Sequence, residues 1–428
     1  MSNKINNEKD DQVKNEPLLK EKPGEISKKT ILMYYGLTVG AVILIVIIVL
    51  IIAVKLGGAP SEEKNYFISK YISDDTSKIK LFNLNLINSI LSMKIDNKEV
   101  NITDEYIFSS KGEHTVEVIL KEVLNSFEKL FEGCINLTEI DLSKIESNKV
   151  VSMSKMFYDC INLKSIDLSK LDTSKVENMS NLFNGCFHLE SINLNNIDTS
   201  NVKYMDFMFY ACIYLKSLNL KSFNTINVKN MTGMFYRCNS LDTLDISSFK
   251  TSEVLSMKMM FDSCASLSQL NLKNFDTSKV TDMGYMFASS LSLTSLDLSD
   301  FNTKEVIRMN NMFYGCTSLK NIDLKKLDTS NLKEMGYMFY NCKNIESLDL
   351  SNFETDKVEN MGATFGKCEK LNYLDIRKFN SKNLIYKNNI FPEISESGTI
   401  YFNSKIFEKT LFNNTNIDKW EQNDISYI

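Results

Sequence analysis

Apolar side chains recur along most of this chain in a fixed order. In one stretch they stand at Met179, Leu182, Phe183 and Cys186, spaced i, i+3, i+4 and i+7. That spacing predicts one face of a short helix. Leu189, Ile192 and Leu194 follow, and Ile192-x-Leu194 alternates with Asn193 turned the other way, as in a short strand. Ile197 and Val202 are further inward anchors. Between them lies Asp198-Thr199-Ser200, a turn whose side chains bond nearby backbone groups. The unit therefore reads strand, turn, short helix, turn.

The unit repeats. Phe recurs at 131, 157, 183, 209, 235, 261, 287, 313, 339, 365 and 391, a period of 26 without an insertion. Cys follows three residues later at 134, 160, 186, 212, 238, 264, 316, 342 and 368, and these nine are all the cysteines in the chain. Ser290 fills the place missing within that run, and Ile394 stands at the degenerate last one. A single unit cannot bury its apolar face, whereas a stack of them makes one continuous core. The prediction is an α/β solenoid over 127–392, with ten repeats and a degenerate eleventh. Ten rungs at a strand spacing of about 4.8 Å give a sheet roughly 45–50 Å long.

Solenoids need their open ends covered. Residues 78–126 lack the period but alternate like strands at LSMKID, EYIFSS and HTVEVIL, which predicts a small β-rich N-terminal cap. Beyond the array, TIYF at 399–402 keeps the 26-residue register and predicts a strand that closes the sheet. Residues 393–428 read as the C-terminal cap, helical and polar around Trp420 from 404 onward.

The hydropathy pattern changes wholly near the start. Thr30 to Val54 reads TILMYYGLTVGAVILIVIIVLIIAV, with no charged residue. A helix of about 20 apolar residues crosses a bilayer, so 30–54 is expected to be a single transmembrane helix. A cleaved signal peptide would have a shorter apolar run and an A-x-A site after it. Residues 1–29, with seven Lys against six Asp and Glu, read as a disordered polar tail, and 55–77 as a juxtamembrane linker. Lys28-Lys29 abut the span and favour a cytoplasmic N-terminus. The expected location is a single-pass membrane protein at the plasma membrane or cell surface, with the rest outside or in a lumen. Sequons at Asn101, Asn136, Asn178, Asn230 and Asn413 are glycosylation candidates compatible with that side.

Composition narrows the chemistry. A net charge of −5 without a basic stripe argues against nucleic acid. Two histidines, His114 and His188, lie 74 residues apart, and no hydrolase, phosphate-loop or metalloprotease motif appears, so no enzyme is expected and no catalytic residue is assigned. The cysteine spacing does not suit zinc, and side chains in a stack run parallel, so the thiols are expected to be buried, free and structural. No cofactor is expected.

Two surfaces remain. Asp141, Asp167, Asn193, Asn219, Asp245, Asn271, Asp297, Asp323, Asp349 and Asp375 form a polar file between inward apolar residues of the strands, flanked by Ser295 and Ser299 among others. Closely spaced like charges pair with Lys273, Lys325 or Arg377, bind cations such as Ca²⁺, or take up protons. The file is either a solvated face or a binding face for a basic or glycan partner. On the helix side, Tyr210, Tyr236, Tyr314 and Tyr340 recur just after the core Phe, with Tyr204 and Phe207 nearby. Packing accounts for tyrosine there, and so does an interface.

The 295–319 stretch, SLDLSDFNTKEVIRMNNMFYGCTSL, resembles the consensus of the BspA-type leucine-rich-repeat surface proteins, including the 26-residue repeats of mycoplasma surface lipoproteins. The resemblance covers about three-fifths of the chain, from 127 to 391. It implies a right-handed leucine-rich-repeat-like solenoid at a surface, with adhesion or host-protein binding as in some members. One departure matters. Where the general motif places Asn or Cys, this chain has Leu171, Ile197, Phe223, Phe249, Phe275 and Phe301, with Thr two residues later. That hydroxyl file is expected to satisfy the turn backbone in place of an asparagine ladder. The expected function is recognition or adhesion through broad contact with an extracellular or lumenal protein or glycan. A passive coat or spacer and a ligand-sensing receptor ectodomain are the alternatives, and the oligomeric state is open.

Overall fold

The computed structural model describes residues 65–74 and 76–427. The tail at 1–29, the expected span at 30–54 and the linker up to residue 64 lie outside the described residues. Among the described residues no helix is long and apolar enough to cross a membrane.

The N-terminal strands are β1 (Tyr66–Asp74), β2 (Ile79–Lys80), β3 (Ile90–Ile95), β4 (Lys98–Val100), β5 (Glu105–Tyr106) and β6 (Lys111–Leu120). The first rung contributes β7 (Leu137–Asp141). One sheet runs β4-β3-β6-β1-β7, and β2 pairs with β5. Strand β1 falls inside the stretch expected as linker, which corrects the cap boundary from 78 to about 66. The alternation of β1 hides its amphipathicity: Phe67 and Tyr71 point inward together with buried Ser69 and Ser73, while Ile72 points out. Strand β1 pairs antiparallel with both β6 and β7, so the cap is hydrogen-bonded to the first rung and not merely stacked on it. Asp96 and Asn97, both with φ above zero, make the two-residue hairpin between β3 and β4.

The repeats form a β-solenoid of about ten turns. Its strands are β8 (Ser165–Asp167), β9 (Ser191–Asn193), β10 (Ser347–Asp349), β11 (Tyr373–Asp375), β12 (Thr399–Phe402) and β13 (Glu421–Asp424). β8 pairs with β9, and β10 to β13 form a parallel four-stranded sheet. The sheet expected through every rung is therefore present only toward the two ends. Rungs between 217 and 323 keep the extended, alternating course without a strand ladder.

The expected short helices are not helices. Met153, Lys155, Phe157 and Asp159 each donate their amide to the next rung, to Asn178, Ser180, Leu182 and Asn184. Met156, Tyr158 and Cys160 instead donate three residues back, to Met153, Lys155 and Phe157. The segment is a chain of tight turns whose alternate amides build a parallel ladder between rungs. Isolated bridges continue that ladder from Ser152↔Asn178 to Asn360↔Tyr386, every 26 residues. A four-residue turn chain and a 3.6-residue helix bury the same i, i+3, i+4, i+7 set, so periodicity alone does not separate them.

The core follows the predicted files. Phe131 to Phe391 stack rung on rung, with ring centroids 5.5 Å apart at Phe131–Phe157 and 6.0 Å at Phe339–Phe365. A second file is wider, at 6.4 Å for Phe223–Phe249 and 6.5 Å for Phe249–Phe275. Together with the missing strand ladder, this shows rungs that fan apart from the turn side toward the strand side.

At the C-terminus TIYF forms β12 as predicted, but β13 lies outside it and closes the sheet. The expected helical cap is three short 3₁₀ turns at Lys409–Phe412, Asn416–Lys419 and Ile425–Tyr427. Trp420 is buried at this end and donates its indole N–H to the Ser395 carbonyl at 3.1 Å.

Candidate interaction surfaces on the solenoid

Each predicted file can be followed to its partners. Every cysteine is free and buried. From Cys160 onward each thiol donates to the carbonyl of the Phe in the preceding rung, as Cys238 does to Phe209 at 3.1 Å and Cys316 to Phe287 at 3.0 Å. Ser290 donates to Phe261 at 2.9 Å, the same bond with a hydroxyl. Burial pushes the thiols of Cys238, Cys316 and Cys368 up to about 12, so they stay protonated donors.

The threonine file behaves as expected. Thr199 donates to the Asn224 carbonyl at 2.9 Å and accepts from the Asn224 amide at 2.8 Å. Thr225 does the same to Lys250, at 2.8 and 2.7 Å. Thr277 donates to Asn302 at 2.9 Å, and the hydroxyl side chains are buried.

The strand-face file has a local job that the sequence did not reveal. Asp167, Asp245, Asp297, Asp323 and Asp349 each accept the amide two residues on, and Asn193, Asn219 and Asn271 do likewise. These are Asx turns, which explains why Asp and Asn exchange freely. Hydroxyl and amide donors from Ser247 and Ser299 hold Asp245 and Asp297 below the usual carboxylate range. At Asp167 and Asp349 burial opposes the Ser169, Ser351 and Lys325 contacts, which prevail and keep both low. At these four positions the charge is therefore not resolved by proton uptake. Lys325 pairs with Asp349 at 3.0 Å, as anticipated. Asp375 departs from the expected outward position: it is fully buried, held by the Arg377 guanidinium, which lies over the Tyr401 ring. Ser295 and Ser299 are exposed beside Asp297. Among the described residues no group of three or more His, Cys, Asp or Glu is placed to hold a metal ion, so calcium on this file finds no such cluster.

The turn face carries two aromatic groups. In the first, Tyr210 and Tyr236 lie 4.9 Å apart, with Phe207 edge-on to Tyr210 at 6.0 Å and Tyr204 exposed. In the second, Tyr314 and Tyr340 stack at 5.4 Å, and Tyr337 meets Tyr340 at 5.4 Å. An open trough beside the second group is lined by Tyr285, Arg308, Asn310, Tyr314, Tyr337 and Asn360. The amide and arginine positions were not legible in the sequence, because they look like ordinary polar turn residues. The detectable signal was Gly284, Gly336 and Gly362 in a file that elsewhere holds Glu, Ser, Thr, Asp, Asn or Lys.

Of the sequons, Asn101 and Asn413 are exposed. Asn136 donates to the Ile72 carbonyl, and Asn178 and Asn230 accept from Ser180 and Thr232 in the turn ladder.

The pattern of files matches known families. The family model described as Mycoplasma protein of unknown function, DUF285, matches residues 125–241, 214–322 and 317–403. The BspA-type leucine-rich-repeat region, in six copies, matches residues 64–179, starting where β1 starts. The chain belongs to the BspA-type leucine-rich-repeat family. The BspA-type match takes in the β-rich cap and the first rungs, and the DUF285 match takes in the array from 125 to 403. The functional domain of InlJ from Listeria monocytogenes, described as including a cysteine ladder, is similar at 15% identity over 70% of this chain and 74% of that chain. Its TM-score is 0.16, too low to bear on the fold. No curated protein matches the chain.

Proposed function

We propose that this BspA-type chain is a surface recognition or adhesion scaffold, anchored by a membrane span at 30–54 with its cap and array outside. It works by broad contact and not by catalysis. The observation that supports this most is where the array spends its chemistry. Thiols, threonines and strand-face Asx side chains are bonded to backbone and turned to holding the rungs, whereas the turn face presents exposed aromatic rings such as Tyr204 and Tyr337 on a ladder of backbone bonds between rungs. The histidines are also occupied: His114 sits 2.7 Å from Asp96 and 2.9 Å from the Ser110 carbonyl, and His188 bonds the Ile161 carbonyl.

The test is binding of the full chain, in detergent, to immobilised extracellular proteins and glycans, with and without calcium. Saturable binding to a subset is expected. Uniform absence of binding would leave the coat or spacer as the function. Digestion of the N-terminal tail from outside in sealed vesicles would reverse the orientation.

A further inference from the structure

We infer that the trough at Tyr285, Arg308, Asn310, Tyr314, Tyr337 and Asn360 is a carbohydrate site taking an extended neutral oligosaccharide along the turn face. This rests on the recognition reading above and adds a place and a ligand class to it.

The first support is strain without structural return. Tyr285 and Tyr337 have φ of 61° and 59°. Other rungs fill this left-handed position with Asn181, Gly233, Asn311 or Asn389, which adopt it at lower cost, and also with Lys129, Lys155, Phe207, Met259 and Ala363, so the strain is shared along the file and the pair of tyrosines flanking one trough is what sets these rungs apart. A bulky side chain there is strained, because its Cβ crowds the following carbonyl oxygen. Tyr337 does not recover that by burial, because it is 45% exposed. Tyr285 is partly buried, and an aromatic ring kept strained and exposed at Tyr337 points to a ligand.

The second support is how the amides are placed. A Cβ on Gly336 would lie 2.7 Å from Asn360 Oδ1, and one on Gly284 would lie 3.0 Å from Asn310 Oδ1. The two glycines therefore make room for the carboxamides of the following rung. Asn360 Oδ1 accepts from the Gly362 amide at 3.0 Å, which fixes the carboxamide by its oxygen and leaves its NH₂ group as a donor at the trough lining. Arg308 is held only loosely, 3.9 Å from Asp282, with its side chain 53% exposed.

The ligand class follows from the lining. Tyrosine faces pack against the C–H faces of pyranose rings, and carboxamide and guanidinium groups satisfy vicinal hydroxyls. No aliphatic side chain lines the trough, so an apolar protein anchor would find no desolvated pocket. Glu334 offsets Lys258 and Arg308 only in part, so the trough carries charges of both signs and no strong single-sign field, which a neutral ligand tolerates. The ladder Asp282↔Arg308↔Glu334↔Asn360 repeats once per rung, about 4.8 Å. One pyranose with its linkage spans a similar length, so successive rungs meet successive rings.

The experiment is isothermal titration of the full chain in detergent with maltotetraose, mannotetraose and the β-1,4 tetramer of N-acetylglucosamine. The variant is Tyr285→Asn with Tyr337→Asn, a residue this position already accepts. Saturable binding of at least one sugar is expected, weakened at least tenfold in the variant. The variant's thermal midpoint should be equal or higher, since strain is relieved. A clearly lower midpoint would make the tyrosines packing residues and overturn the inference. Sugar binding untouched by the variant would overturn the place. Protein binding in the preceding screen with no sugar binding here would overturn the ligand class and leave recognition standing. No binding in either experiment would remove both.

Discussion

At the residue scale, the repeat reads as a set of backbone hydrogen bonds written in side chains. Ser290 and its cysteine neighbours perform one task, donation to the Phe carbonyl one rung back. Ser290→Cys should therefore shift stability by less than about 1 kcal/mol in thermal unfolding; a larger loss would mean the hydroxyl is needed for more than this bond. Because the thiols are buried and held protonated, alkylation of the folded chain should be negligible and become complete on unfolding. Thr225→Val leaves both the amide and the carbonyl of Lys250 without their partner and should cost about 2–3 kcal/mol. Asp262 is the exception to this economy. Burial raises its carboxyl to about 6, against the Ser263 hydroxyl and Arg237, which favour the charged form. A raised carboxyl destabilises the fold as pH climbs from the unfolded value through the folded one. Asp262→Asn should thus stabilise at neutral pH by on the order of 2 kcal/mol and have no effect near about pH 3. Equal effects at both pH values would show that ionisation is not the cause.

At the element scale, the apolar files, the period and the strand alternation were all legible, because burial imposes them whatever the backbone does. The turn chain was not. Its signature is the pair of left-handed files through positions 129 and 133 of every rung, and only some rungs advertise it with glycine: Gly133, Gly185, Gly233 and Gly315. The others hold Asp159, Arg237, Tyr285 or Lys367 at the same φ, residues that read as helix surface. The two kinds of position respond oppositely to substitution. Gly233→Ala should destabilise by about 2 kcal/mol, since φ is +58° and its Cβ would lie 2.4 Å from the Phe207 ring. Ser289→Gly, at φ 53°, should stabilise by about 0.5–1 kcal/mol. Calorimetry on both variants checks the signs; a stabilising alanine would mean the segment is helical. The trough was illegible for a similar reason, because it depends on which turn residues adjacent rungs bring side by side.

At the scale of the whole molecule, the array is a rigid ladder on one side and an opened one on the other. The cap is joined to it through β1 and β7, and β13 with Trp420 closes the far end. Strand β1 escaped the sequence reading because serines occupy half its inward positions, and β13 because EQND carries no apolar signal. The turn side, not the strand side, holds the rungs together, and so it presents the preformed surface on which recognition depends. Hydrogen–deuterium exchange resolved to single amides in the full chain tests this most directly. The amides of Phe235, Phe261, Phe287 and Phe313, each bonded to the next rung, should be strongly protected, and those of Leu244, Leu270 and Leu296 should exchange much faster. Equal protection on both sides, or greater protection on the strand side, would contradict the account.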